Sequence, residues 1–249
     1  MMEKEMLLGV LGGLGPMSTV YFCELLTSHT KAECDGDHID MIVSSRASTP
    51  DRTAFILGKS TCDPLPVMRE EANRLTNAGA DLIVIPCNTA HYFYNGLQEG
   101  CRVPILNIIR ETVRYLHQNK VTTFGLLATE GTVRSMAYHQ ISRPLGLSCI
   151  TPTAEEQAVI SDIIYGQIKQ NRPVDKAAFL RVTDAMHARG CEKLVLGCTE
   201  LSLLKKEGLD DELFVDSLEV LAYQTIRACG KTPMGFPASF AALDGEVAP

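Results

Sequence analysis

Two cysteines at matched positions are the residues of this chain best placed to do chemistry. The segment 79–91 holds a glycine, an acidic residue two positions later, an apolar run and then Cys87, and the segment 190–201 repeats this order without a gap and reaches Cys198. A short apolar run bounded by turn signals is typical of a buried strand. Ligands bind beyond the carboxyl ends of strands in open α/β sheets, so each thiol is predicted to lie at a ligand site.

If the two predicted strands end at one small cleft, the two thiols lie on opposite sides of it, where they could remove a proton and return it. One thiolate can take the α-proton of a substrate while the other thiol delivers a proton to the opposite face. The outcome is racemisation or epimerisation, and the two cysteines exchange roles for the two enantiomers. The other seven cysteines are interpreted as packing residues, since a free cysteine behaves as a small buried hydrophobe.

Polar residues follow each of the two cysteines. Asn88 and Thr89 come after Cys87, and Thr199 comes after Cys198. These residue types are good helix N-caps, so a helix is expected to begin at each site with free backbone donors nearby. A helix N-terminus favours a thiolate, and we therefore expect a lowered thiol pKa.

Two cationic side chains are candidates for binding an anionic ligand. Arg52 lies in the proline-containing turn 48–53, just past a predicted strand at 38–45, and an arginine fork suits bidentate carboxylate binding. A surface ion pair is the alternative for this residue. Lys169 lies near the end of a predicted helix at 154–170, where a cation also complements the helix dipole.

Two further patterns point to other chemistry, and neither is complete. His91 lies four residues after Cys87, as in a metal pair or a thiol–imidazole nucleophile, but no third ligand is nearby and neither site would explain Cys198. The glycines of segment 9–15 resemble a dinucleotide fingerprint, but Ser18 stands where its third glycine should be. These glycines are instead expected to let the backbone approach a ligand or a second lobe closely.

The elements that position these residues also form a repeat. Segment 6–19 matches segment 124–135 at an offset of 116 residues, close to the 111 that separates the cysteines. The sequence therefore predicts an α/β fold of two similar lobes related by a pseudo-twofold axis, each a mainly parallel sheet flanked by helices, with the active site in the cleft between them. The first lobe is predicted to comprise 1–112 plus 216–249, and the second 113–215. Helices are predicted at 67–78, 108–118, 174–188 and 218–228.

Composition excludes several classes of function. The 249 residues are 45% hydrophobic and 21% charged, and no apolar run approaches a membrane span of roughly 18 residues. A net charge of −7 argues against a nucleic-acid partner. The N-terminus does not resemble a secretory signal. Nine cysteines without a Cys-x-x-Cys pair favour reduced thiols, so we expect a cytoplasmic protein.

Four short motifs resemble those of the aspartate/glutamate racemases, most closely the cofactor-independent aspartate racemases. They are Pro-Cys-Asn-Thr-Ala-His at 86–91, Leu-Gly-Cys-Thr-Glu-Leu at 196–201, Pro-Asp-Arg-Thr at 50–53 and Ile-Tyr-Gly-Gln-Ile-Lys at 164–169. The resemblance implies that Cys87 and Cys198 are the acid/base pair. It also implies a homodimer that needs neither a metal nor pyridoxal phosphate.

The resemblance assigns substrate-binding roles as well. Arg52 and Lys169 would hold the side-chain carboxylate of an acidic amino acid, and Asn88, Thr89 and Thr199 would donate hydrogen bonds to its α-carboxylate. Relatives that use similar thiols on other small acids remain open, among them glutamate racemase, hydantoin racemase, maleate isomerase and arylmalonate decarboxylase. Arg52 favours a dicarboxylic amino acid. A two-lobe ligand-binding module is a further alternative, but it gives the thiols no task.

Overall fold

The computed structural model describes residues 5–209 and 212–245. Residues 1–4, from which the absence of a secretory signal was inferred, and residues 246–249, the end of the first predicted lobe, lie outside this description. No helix in the described ranges is both long enough and apolar enough to cross a membrane.

Two four-stranded parallel sheets form the framework, and they have the same topology. The first sheet has the strand order β2-β1-β3-β4 and the second β6-β5-β7-β8. This equivalence confirms the prediction of two similar α/β lobes. The strands are β1 (Leu8–Gly12), β2 (Met41–Ser45), β3 (Leu82–Val84), β4 (Ile105–Leu106), β5 (Thr123–Leu127), β6 (Ser148–Ile150), β7 (Lys193–Leu196) and β8 (Phe214–Asp216).

The central strands are buried on both faces, as expected for parallel sheets that helices cover. All five residues of β1 and all three of β3 are buried. In the second sheet, β5 and β7 are buried except at their first residues. The covering helices are α1 (Pro16–Ser28), α2 (Arg52–Ile56), α3 (Leu65–Asn77), α4 (Tyr94–Glu99), α5 (Ile108–Gln118), α6 (Glu130–Ser135), α7 (Ala137–Ser142), α8 (Ala154–Ser161), α9 (Lys176–Ala188), α10 (Ser202–Lys206) and α11 (Ser217–Ala228).

The predicted helix at 154–170 is wrong in its second half. The α-helix ends at Ser161, and the chain continues as a π-helical turn, Asp162–Gln167, and a 3₁₀ turn, Ile168–Gln170. A Cβ at Gly166 would lie 2.4 Å from Asp162 Oδ1, so the absence of a side chain leaves space for this carboxylate. Such widened turns are frequent at functional sites; this one carries Tyr165, and the 3₁₀ turn that follows carries Lys169.

Helices α5 and α11 connect the two lobes. Helix α5 leads from the first sheet to the second, and α11 returns to pack against α5 and α1. Gln224 of α11 donates a 2.6 Å hydrogen bond to the buried Glu111 of α5. This packing supports our proposal that segment 216–249 belongs to the first lobe. The tail also returns to this region, where Phe240 packs against Tyr115 and Tyr223.

Candidate active site

All seven residues selected from the sequence line one cavity between the two sheets. The lining consists of Leu14, Asp51, Arg52, Thr53, Cys87, Asn88, Thr89, Thr129, Tyr165, Lys169, Cys198, Thr199 and Glu200. The cavity leaves about 10 Å³ for the centre of a water molecule, which is room for about one water.

The two thiols reach the cavity from equivalent strands of the two sheets. Cys87 follows β3 and Cys198 follows β7, and β3 and β7 occupy the same place in their sheets. Only 6% of Cys87 and 5% of Cys198 is exposed to solvent. The fold therefore places one shielded thiol from each lobe at the same small cavity.

The Cys198 thiol is bound by a carboxylate that the sequence did not single out. Its Sγ donates a hydrogen bond of 3.0 Å to Glu200 Oε2. Burial raises the pKa of Cys198 well above its usual value, the charge of Glu200 raises it further, and the nearby Lys169 opposes both effects. The predicted lowering of this thiol's pKa is therefore wrong. The sequence offers one signal for Glu200, because the cysteine repeat aligns it with Thr89, which is a candidate site residue.

The residues that follow the cysteines do not cap α-helices as predicted. A 3₁₀ turn, Thr89–Phe93, follows Cys87, and Asn88 makes no side-chain cap at its start. After Cys198, helix α10 begins only at Ser202. The side chains of Asn88 and Thr199 make hydrogen bonds to other parts of the chain instead.

Asn88 and Thr199 fix the cysteine loops to each other and to α11. The Asn88 amide donates to Ser217 Oγ at 2.9 Å and accepts from the Tyr138 hydroxyl at 2.7 Å. Thr199 Oγ1 donates to the carbonyl of Pro86, the residue before Cys87, at 3.2 Å. The two loops that carry the thiols are thus in direct contact.

A cluster of threonine hydroxyls joins the lobes beside Cys87. Thr89 Oγ1 lies 3.0 Å from Thr129 Oγ1 and 2.8 Å from Thr132 Oγ1, and Thr53 donates to Thr129 at 3.3 Å. Thr53 and Thr129 both line the cavity, although the sequence patterns did not single them out. Thr129 follows a buried strand as the two cysteines do, which was a usable signal.

Arg52 brings a buried positive charge to the cavity. Asp51 caps helix α2 by accepting from Ala54 N at 2.6 Å, and Arg52 is the first residue of that helix. Its guanidinium donates to the carbonyls of Leu14 and Pro50, at 2.8 and 3.2 Å, while its buried Nε has no hydrogen-bond partner. Within the described residues it forms no ion pair, so its charge is available to an anionic ligand.

Lys169 is the second cation of the cavity. Its Nζ lies 3.4 Å from Glu200 Oε1 and 4.8 Å from the centre of the Tyr165 ring. Burial lowers the pKa of Lys169, but the negative charge of Glu200, with a smaller contribution from Cys198 in its thiolate form, outweighs burial and raises the pKa above its usual value. The ammonium group therefore stays charged at neutral pH.

Two glycines of the long repeat allow the lobes to approach at this site. A Cβ at Gly15 would lie 2.3 Å from Glu200 Oε1, and a Cβ at Gly131 would lie 2.8 Å from Thr53 Oγ1. In each case the glycine and the residue that it contacts lie on opposite sides of the cleft. Real Cβ contacts are essentially never this short. The expectation that such glycines permit close approach of a second lobe is confirmed.

His91 anchors the Cys87 loop and takes no part in a metal cluster. Its Nδ1 donates to the Cys87 carbonyl at 2.8 Å, and its Nε2 accepts from the Ile108 N–H at 3.3 Å. Burial lowers the pKa of His91 to about 4, so the imidazole is neutral. The described ranges contain no group of three or more His, Cys, Asp or Glu residues that could hold a metal ion.

Comparisons with known proteins agree with this geometry. The structure is similar to an aspartate racemase of Picrophilus torridus, with a TM-score of 0.82 and 27% identity over 96% of this chain and 99% of that one. The sequence is 27% identical over 234 residues to the broad-specificity amino-acid racemase RacX of Bacillus subtilis, covering 88% of this chain and 96% of RacX. It is 30% identical over 165 residues to a glutamate racemase of Aquifex pyrophilus, covering 61% of this chain and 60% of that protein.

A model of one protein family also matches this chain. The model for Asp/Glu/Hydantoin racemase matches residues 11–225, which include the second sheet, the first sheet except for the start of β1, and every residue of the cavity lining. Because the match spans most of the chain, the protein belongs to the Asp/Glu/hydantoin racemase family.

Proposed function

We propose that this protein racemises an acidic amino acid, aspartate in the first instance, by a cofactor-independent two-base reaction of Cys87 and Cys198. The observation that carries the proposal is the pair of buried thiols at equivalent strand ends of two equivalent sheets, both lining one cavity. A racemase must act on both faces of one carbon, and this pseudo-symmetric pair provides one group for each face.

The protons balance in a simple exchange. With Cys87 as thiolate and Cys198 as thiol, the Cys87 sulfur takes the α-proton, the α-carbon becomes a carbanion, and the Cys198 thiol protonates its opposite face. Cys198 is then the thiolate and Cys87 the thiol, which is the form that accepts the other enantiomer. The Glu200 carboxylate beside Cys198 favours the neutral thiol there, so the form with Cys198 protonated is favoured in the empty site.

The substrate carboxylates match the polar groups of the cavity. Arg52 and Lys169 are the two cations of the lining and would hold the side-chain carboxylate. Asn88, Thr89 and Thr199 would donate to the α-carboxylate, Thr199 once its hydroxyl exchanges the Pro86 carbonyl for the ligand. Negative charge spreads onto that carboxylate as the α-proton leaves, so these donors stabilise the transition state more than the bound ground state.

Aspartate is proposed as the substrate because the structural likeness to an aspartate racemase covers nearly the whole of both chains. Glutamate is the second candidate, favoured by the 30% identity to the glutamate racemase of Aquifex pyrophilus. One methylene is worth only about 1 to 3 kcal/mol in a pocket, so the two substrates must be compared directly.

We also propose that the protein is a cytoplasmic homodimer. All nine cysteines are free in the structure, which supports a reducing compartment. Light scattering coupled to size-exclusion chromatography tests the dimer, and a monomer mass would contradict it.

Serine variants of the two cavity cysteines test the reaction. Cys87→Ser and Cys198→Ser should each lower the rate of racemisation by about a thousandfold or more. A hydroxyl is a far weaker acid than a thiol, so it donates a proton poorly and is not present as the anion at neutral pH. Binding of the amino acid should be largely retained. Cys62→Ser, at an exposed position, is the matched control and should keep full activity. Near-normal turnover in either cavity variant would defeat the two-base reaction.

A further inference from the structure

The cavity holds a buried carboxylate that does not contact the substrate in the reaction as proposed. Glu200 is only 5% exposed and lies between Cys198 and Lys169. We infer that Glu200 binds the α-ammonium group of the amino-acid substrate and selects amino acids over dicarboxylic acids that lack this group. The inference rests on the proposed function and adds the recognition of the substrate's cation.

One oxygen of this carboxylate is left without a hydrogen bond. Oε2 accepts from the Cys198 thiol, whereas Oε1 is buried and accepts no hydrogen bond from any described residue. Its nearest cation is Lys169 Nζ, in an ion-pair contact of 3.4 Å. Buried polar atoms nearly always have partners, so a buried acceptor in the wall of a ligand cavity indicates that the ligand supplies a donor.

The position of Glu200 suits the ammonium group in particular. A thiol that protonates the α-carbon must lie about 3 to 3.5 Å from it. The ammonium nitrogen is bonded to that carbon, and Glu200 Oε2 lies 3.0 Å from the Cys198 sulfur. A group attached directly to the α-carbon is therefore within reach of this carboxylate.

Charge complementarity supports the same assignment. An acidic amino acid carries two carboxylates and one ammonium group, and the cavity offers two cations, Arg52 and Lys169, together with Glu200. Asp51 is the other acidic residue of the lining. It is exposed, and its Oδ1 already accepts the N-cap hydrogen bond of α2. Glu200 is thus the buried anion available to the substrate.

The glycine-rich turn makes room for this carboxylate. The position that a Cβ would take at Gly15 is 2.3 Å from Oε1, so a side chain at position 15 would displace the Glu200 carboxylate from its place in the cavity. The turn after β1, which does not match a dinucleotide fingerprint, thus contacts the carboxylate of Glu200.

The test measures the affinity for L-aspartate and for succinate, which lacks the ammonium group. Calorimetry is done in the Cys87→Ser background so that the amino acid is not turned over, with L-glutamate and glutarate as a second pair. Glu200→Gln keeps the shape of the side chain and removes its charge. It should lower the preference for aspartate over succinate by 10-fold or more, whereas the same change at an exposed glutamate outside the cavity lining, Glu99→Gln, should leave the preference unchanged.

An equal loss of affinity for both ligands in Glu200→Gln would overturn the inference, because a purely structural role affects both. So would a parent protein that binds succinate as tightly as aspartate. If Glu200→Gln does not fold, Glu200→Asp retains the charge on a shorter side chain and should reduce the preference in the same direction. The ratio is read at equilibrium, so an enzyme that binds aspartate without exchanging its α-proton would defeat the proposed reaction but not this assignment.

Discussion

Replacement of Gly131 by alanine tests whether the close contact between the lobes positions Arg52. Gly131 is the counterpart of Gly15 in the long repeat and lies in helix α6, against Thr53 of helix α2. Arg52 is the neighbour of Thr53 and the first residue of α2. A side chain at position 131 therefore presses on the helix that carries the proposed carboxylate-binding arginine.

The size of the effect follows from the distances. The added Cβ would lie 2.8 Å from Thr53 Oγ1 and 2.9 Å from Thr53 Cα, whereas ordinary contact begins at 3.4 Å. The backbone of α2 must move away by about 0.5 Å, the difference between the last two distances. Overpacking of this kind costs about 1 to 3 kcal/mol of unfolding free energy. A displacement of about 1 Å can cost about 100-fold in rate, so half of that displacement predicts about a 10-fold loss of kcat/KM.

Urea denaturation and initial racemisation rates measure the two effects. Gly36→Ala is the control, because the nearest atom to its added Cβ, Cys34 Sγ, is 3.9 Å away. We expect the control to match the parent protein in both assays. Gly131→Ala with unchanged kcat/KM and unchanged stability would refute the argument that this contact sets the position of Arg52.

Three further predictions follow from the site. Arg52→Ala should weaken binding of an acidic amino acid by about 2 kcal/mol or more, and unchanged affinity in calorimetry would remove Arg52 from the site. The folded-state pKa of His91, about 4, is below its usual value of about 6.5, so the contribution of His91 to the unfolding free energy should be constant above pH 6.5 and fall as pH drops toward 4. Urea denaturation should show this fall in the parent protein and a smaller one in His91→Gln; equal falls would contradict the assignment. Because the pKa of Cys198 is raised, iodoacetamide should modify this thiol only at a pH higher than the one at which it modifies an ordinary thiol. In Glu200→Gln, the modification should begin at a lower pH than in the parent protein, as peptide mass spectrometry can show. Identical pH profiles of modification in the two proteins would contradict the role of Glu200.

The repeat in the sequence predicted the framework of the site because its determinants are local. Apolar runs that end at Cys87 and Cys198 encode two buried strands, and their near-constant offset encodes two equivalent sheets. The glycines that allow close approach were also recognisable, since Gly15 and Gly131 lie in the matched turns. These features depend on residues near one another in the chain.

Three features of the site could not be predicted from the sequence, because they depend on side-chain packing and leave no periodic pattern. Glu200 could be aligned with Thr89, but nothing local showed that its carboxylate would accept a hydrogen bond from Cys198 and raise the thiol's pKa. The π-helical turn that carries Tyr165 and the 3₁₀ turn that carries Lys169 were predicted as continuous helix, since the apolar spacing of 154–170 remains helical through them. The threonine cluster around Thr129 draws on both lobes and left no periodic pattern.

The most direct measurement of the central claim is proton NMR of the purified protein with L-aspartate, and separately with L-glutamate, in deuterated buffer with a reducing agent and no added cofactor, followed by chiral chromatography. The two-thiol reaction predicts loss of the α-proton signal together with the appearance of the D-enantiomer. Retention of the α-proton signal for both amino acids with fully reduced thiols would contradict it and would favour other small acids or a ligand-binding role.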